Sequence, residues 1–378
     1  MGRAAAYPLL MALPTQPRLA RDLHPVAWWT WAVGLAVAAT LTTNPLLLAV
    51  LVATSALVVM ARRSDHPWAR SFRLYLLLGL MIVVIRVAFR IVFGGVAYGR
   101  VLVDLPTVPL PDWVAGVQLL GPITQEALLA GLYDGLRLAA IVVCVGAANS
   151  LANPKRLLAS VPPALYEIGT ALVVAVTVFP QLADSARRVR SAQALRGDAS
   201  GRVGRLRRFL VPVLEDALER SLALAAGMDA RGYGRSGAAT RGQRWTTGIL
   251  LLAALCGLCV GTYALLDHTA PRWLAVPLLV AGTVTAVVGL VSAGRRVERS
   301  RYRPDRWRPA EVAVAASGIA VGVAVWRLGR TEPLVVYPSL SEMPYLTVLV
   351  LAGALVGLLP AVVAPPPRQP IAPPLEVG

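Results

Sequence analysis

Apolar residues along this chain come in long blocks separated by short basic or proline-rich stretches. The first block, Val26 to Ala61, is too long for one span of about 20 residues and is interrupted by "TTNP" at Thr42 to Pro45. Asn44 is a capping residue and Pro45 suits the first position of a new helix. The block therefore predicts two short spans joined by a tight turn. Leu74 to Phe93 predicts a third span and Thr124 to Asn149 a fourth. Later spans are expected at about Trp245–Leu266, Trp273–Ala293, Val312–Trp326 and Tyr345–Val363. The pattern is that of an all-α, polytopic helical membrane protein with about eight spans.

Ala164 to Pro180 breaks this alternation. The block is only about 16 residues long, short for a span; it starts beside Glu167 and ends in proline. Lys155 and Arg156 precede it, and Arg187, Arg188, Arg190, Arg196, Arg202, Arg205, Arg207 and Arg208 follow it. Cytoplasmic loops collect basic residues, so both flanks ask for the cytoplasm. The block is expected to lie in the interface or against partners rather than to span. Residues 153–244 then form a cytoplasmic, membrane-surface region. It lies between a four-span region, 1–152, and a C-terminal membrane region, 245–363. The proline-rich tail, 364–378, is expected to be disordered. Arg62, Arg63, Arg70 and Arg73 mark a further inner loop, and Val103 to Gly116, without a basic residue, an outer one. Both termini are expected in the cytoplasm.

The surface region carries two amphipathic helices with similar ends. In "PVLEDALERSLALAAGMDARG", Leu214, Leu218, Leu222, Ala225 and Met228 share one face. Pro212 is expected at the first position of that helix. Arg231 falls in its last turn, and Gly232 suits the left-handed stop. In the preceding helix Leu182, Ala186, Val189 and Gln193 share a face, and the chain ends on Arg196-Gly197. An arginine near a helix C-terminus complements the dipole, and a glycine after it is an ordinary stop. That explanation suffices for either motif alone. Two of them in one cytoplasmic region point to docking, because a guanidinium pairs bidentately with carboxylates on a partner.

Composition narrows the chemistry. The 378 residues are 56% hydrophobic and 15% charged, against about a quarter charged in a soluble domain. The net charge of +17 would suit nucleic acid, but the basic residues sit between apolar blocks, so the lipid bilayer is the expected environment and no nucleic acid is expected as a partner. Cys256 and Cys259 have CxxC spacing inside an apolar run, where two small apolar residues of a span are a better reading than a redox or metal pair. His24, His66 and His268 are scattered, so no metal site and no cofactor are expected. The first long apolar stretch runs well past signal length, so no cleavable signal is expected. Lys155, the single lysine, follows proline, so the chain has no Walker A motif. Any energy conversion is expected from another polypeptide. Arg86 and Arg90 lie four apart in the third block. Arg90 is near the outer end and can snorkel, which leaves Arg86 as a possible buried polar site, for function or for packing.

"LHP" at Leu23 to Pro25, "TTNPLLLAVL", "FPQLADSARRVRSAQALRG" and "LERSLALAAGMDARGYG" together resemble the transmembrane T component of energy-coupling factor (ECF) transporters, of the cobalt-transport CbiQ type. The resemblance covers roughly residues 20 to 245. Its specific part is a pair of Ala-Arg-Gly signatures. The second is intact at Ala230-Arg231-Gly232; the first reads Ala194-Leu195-Arg196-Gly197, with leucine where alanine is usual. The resemblance implies a non-enzymatic subunit of an ATP-driven importer of a vitamin or transition metal. Its two arginine-tipped helices would dock two cytoplasmic ABC-type ATPase subunits and relay motion to a small membrane S component that binds the substrate. Arg196 and Arg231 would each pair with acidic residues of one ATPase, and Ala164 to Pro180 would help form the surface for the S component. Trp245 to Ala293 stands as an inserted hairpin ahead of the basic "SRYRPDRW".

Two other classes remain open on the residues. A stand-alone secondary transporter needs ionisable or broken-helix sites near mid-membrane, for which Arg86 and the Asn44-Pro45 break are candidates. An integral membrane enzyme would need Asp104, Asp112 and Asp134 to act together, but their spacing is not that of a metal-binding set.

Overall fold

The computed structural model describes residues 21–64, 71–93, 99–106, 108–109, 118–161, 163–196, 202–232, 241–267, 272–294 and 306–366. Helices dominate: α1 Pro25–Thr40, α2 Pro45–Arg62, α3 Phe72–Val92, α4 Gln125–Leu151, α5 Pro154–Ala159, α6 Tyr166–Arg196 and α7 Arg202–Ala230. They are followed by α8 Arg241–Leu266, α9 Arg272–Gly294, α10 Pro309–Thr331, α11 Pro333–Val336, α12 Val348–Leu355 and α13 Leu359–Val363. Two short antiparallel strand pairs, not expected from the sequence, lie between α3 and α4, and one joins Val101–Asp104 to Pro122–Thr124. Among the described residues, seven helices are long and apolar enough to cross a membrane: α2, α3, α4, α6, α8, α9 and α10. The shorter apolar stretches Pro25–Thr40 and Val348–Val363 match the first and last expected spans. The protein is a multi-pass, all-α membrane protein.

The chain divides into two compact units, Met1–Leu157 with Asp305–Gly378, and Leu158–Pro304. The first is built on α1, α2, α4 and α10. Gly34 and Gly318 let α1 and α10 touch backbone to backbone: a Cβ on Gly34 would lie 2.2 Å from the Gly318 carbonyl oxygen. Trp31 is fully buried beside this crossing and donates Nε1–H to the Gly357 carbonyl at 3.0 Å. The predicted break at Asn44 is a working cap. Its Oδ1 accepts from Leu46 N at 3.0 Å, while Nδ2 donates to the Val335 and Tyr345 carbonyls at 2.7 and 3.0 Å. His24 caps α1 by accepting from Val26 N. Arg21 forms an ion pair with buried Glu311, which also accepts from Arg308 N at the start of α10. The stretch just ahead of α1 and the start of α10 are thus tied together.

In the second unit α8 and α9 pack as a close hairpin. A Cβ on Gly282 would lie 2.9 Å from Leu258 N, and one on Gly261 would lie 2.8 Å from Leu279 Cγ. The same unit holds α6 and α7.

Two of the prolines expected at helix boundaries, Pro180 and Pro212, lie inside helices. Ala164 to Pro180 does not end at the proline: α6 runs on to Arg196 through Pro180. Proline removes one donor, the partner of the Val176 carbonyl, but "QLADSARRVRSAQALR" is rich in strong helix formers that carry the helix onward. The apolar part is therefore one end of a long helix, and Ile168–Leu195 is long enough to span by length and composition. Likewise α7 begins at Arg202, ten residues before Pro212, because the arginines and leucines ahead of the proline also favour helix.

Candidate functional site

The two arginine motifs fall at opposite ends of α7. Arg196 is the last residue of α6, separated from α7 only by residues 197–201, and Arg231 follows α7 directly. A helix of 29 residues extends roughly 44 Å at 1.5 Å per residue, and the two motifs adjoin its opposite ends. At the second motif, Gly232 adopts φ +75° and its N–H bonds to the Asp229 carbonyl at 2.8 Å. This is the left-handed stop anticipated from the sequence, where a side chain would be strained. Arg231 and Ala230 are exposed, and Arg231 has no ion-pair partner among the described residues. At the first motif Ala194 is exposed and Leu195 is 90% exposed. Gly197, the Arg196 side chain, the basic stretch 295–305 and the tail from 367 lie outside the described residues.

A polar cluster joins α6 to α7. Buried Ser185 of α6 hydrogen-bonds Asp216 of α7. Asp216 also accepts from Arg220 Nε at 3.0 Å and faces Arg188 Nη2 at 3.5 Å. The serine bond and then the Arg220 bond hold the Asp216 carboxyl below its ordinary pKa. An ionised carboxylate thus bridges the two helices.

The apolar faces of both helices are open. On α7, Leu206, Leu210, Leu214, Leu218 and Leu222 follow at steps of four and are 41–62% exposed, the ridge an amphipathic helix offers to a partner. On α6, Ile168, Leu172, Val176 and Phe179 form a second row, with Phe179 74% exposed. The sequence identified the α7 face, and the α6 row falls within the Ala164–Pro180 block expected to lie in the interface or against partners.

The intramembrane arginines differ from expectation. Arg86, the expected buried one, is exposed on α3 and pairs with no acid among the described residues. Arg90 makes the contact instead, with Nη2 3.3 Å from Asp134 Oδ2 on α4. Gly131 and Gly135 of α4 explain this: they face Arg90 and Val83, so α4 lies against the α3 backbone there. The pairing could have been found by asking which acid in the fourth block lies opposite an arginine of the third. Among the described residues no group of three His, Cys, Asp or Glu is placed to hold a metal ion.

A family model described as "Cobalt transport protein", CbiQ, matches residues 16–242. That stretch contains both arginine motifs and ends just after α8 begins. No curated protein matches the chain closely.

Proposed function

The chain belongs to the CbiQ family of cobalt transport proteins, and we propose that it is the energy-coupling membrane subunit of an ATP-driven importer. In this reading Ala194-Leu195-Arg196-Gly197 and Ala230-Arg231-Gly232 each enter a groove on one of two cytoplasmic ABC-type ATPases. Arg196 and Arg231 supply the charge, paired there with acidic side chains. The open apolar rows of α6 and α7 meet the small membrane S component, which carries the substrate. The chain itself catalyses nothing and sits in the cell membrane with both termini in the cytoplasm.

The observation that carries this reading is the placing of two arginine motifs at the two ends of α7, with the intact one ending in an exposed arginine beside a left-handed glycine stop. A motif at each end of a helix about 44 Å long suits two separate motor subunits better than one binding site. Motion of either motor is passed along α6 and α7 through Ser185, Arg188 and Asp216. The basic residues on both sides of Ile168–Leu195 favour an inward position for both ends of α6, although the helix is long enough to span.

Co-expression with the cognate ATPases tests the proposal. Arg196→Glu with Arg231→Glu should abolish ATPase co-purification and leave the chain in the membrane. Undiminished co-purification would contradict it. A stand-alone secondary transporter would instead show uptake by the purified chain without ATPase.

A further inference from the structure

The crossing of α1 and α10 leaves an open groove of about 550 Å³ on one side, within the size range of small-molecule sites. Trp29, Val33 and Val37 of α1 face Ile319, Val323 and Trp326 of α10 across it. The two helices run in the same direction, since Trp31 lies against Gly318 and Gly34 against Gly322. The groove therefore has a defined polarity. It begins at Trp29 and finishes at Leu41 and Trp326, a course of roughly 18 Å along α1. That is most of the length of α1.

The far end carries charge. The Arg330 guanidinium lies 4.2 Å from the centroid of the Trp326 ring, held there by cation–π attraction. It is exposed, and no carboxylate pairs with it among the described residues. Arg327, also exposed, lies one turn earlier on the same helix. Tryptophan suits the membrane–water boundary. The whole is a linear apolar track that ends in Trp326 and an exposed cation, Arg330.

We propose that this groove holds one membrane phospholipid, with an acyl chain along α1 and α10 and its phosphate on Arg330. The match is one of shape and charge: a phospholipid offers an extended acyl chain for the apolar track and an anionic phosphate at one end. The proposal rests on the two helices lying in a membrane and is independent of the ATPase docking argued above. The lipid would fill the groove beside the Gly34–Gly318 crossing and so support the contact between the first and last long helices of this unit.

Native mass spectrometry of the purified chain after detergent delipidation tests it, with phosphatidylglycerol added back as the probe. Wild type should retain one phospholipid per chain. Val37→Trp, which fills the groove from an exposed position, should abolish retention. Arg330→Glu changes an exposed side chain outside the helix crossing. It should leave folding intact and weaken retention about tenfold or more, the scale of one lost charge-assisted hydrogen bond. If Val37→Trp fails to fold, Arg330→Glu alone decides. A wild type that strips free of lipid, or an Arg330→Glu chain that retains phosphatidylglycerol as wild type does, would overturn the proposal.

Discussion

Arg188 of α6 and Asp216 of α7 stand 3.5 Å apart, and Asp216 is also held by Ser185 and Arg220. This joint lies between the two arginine motifs, so in the proposed reading it serves transmission rather than docking. Asp216→Ala should leave both ATPases bound while reducing ATP-driven uptake. Spin labels on α6 and α7 should report a broader distance distribution by pulsed electron resonance.

The same joint has a pH signature. The Asp216 carboxyl is depressed in the folded protein, so its stabilising contribution is present above the ordinary aspartate value of about 3.9. That contribution is lost as pH falls through the lower folded value. The α6–α7 distance should be constant from about pH 5 to 8 and should broaden only below about pH 4. In Asp216→Ala the broad distribution should be present throughout.

Gly318 offers a test of the first unit. A Cβ there would lie 2.3 Å from Trp31 Cα, which is backbone and cannot rotate away. Gly318→Ala should destabilise the protein by about 1–3 kcal/mol, the usual cost of overpacking, read as a lower unfolding midpoint in detergent. Gly227→Ala, where the added atom meets nothing within 4 Å, should produce no such loss.

Arg90 and Asp134 should behave as a pair. Removing either leaves an uncompensated charge beside apolar spans, whereas removing both leaves none. Asp134→Ala should be more destabilising than Arg90→Ala with Asp134→Ala, with a coupling of about 1 kcal/mol on the scale of polar contacts between membrane helices. A double-mutant cycle on unfolding midpoints measures it.

Much of the fold was legible because apolar block length reports a single physical preference. The Asn44-Pro45 break was visible as a helix start, since capping is a local property. Its other half, the Nδ2 contacts to Val335 and Tyr345, was not, because nothing near Asn44 encodes residues nearly 300 positions away. Pro180 and Pro212 misled for a related reason: proline is a boundary signal only when its neighbours do not favour helix on both sides. At the candidate site, Gly232 and the α7 face were readable from local spacing. The Ser185–Asp216 joint and the substitution of Arg90 for Arg86 depend on how two helices meet, which periodicity along one chain does not carry.

In the proposed reading, two arginine motifs dock two motors, one each. Mass measurement of the complex purified with its ATPases, comparing wild type with Arg196→Glu, Arg231→Glu and the double variant, tests it most directly. Two ATPase subunits on wild type, a weakened or lost subunit in each single variant and none on the double variant are the predicted result. Two ATPase subunits retained on the double variant would contradict the account.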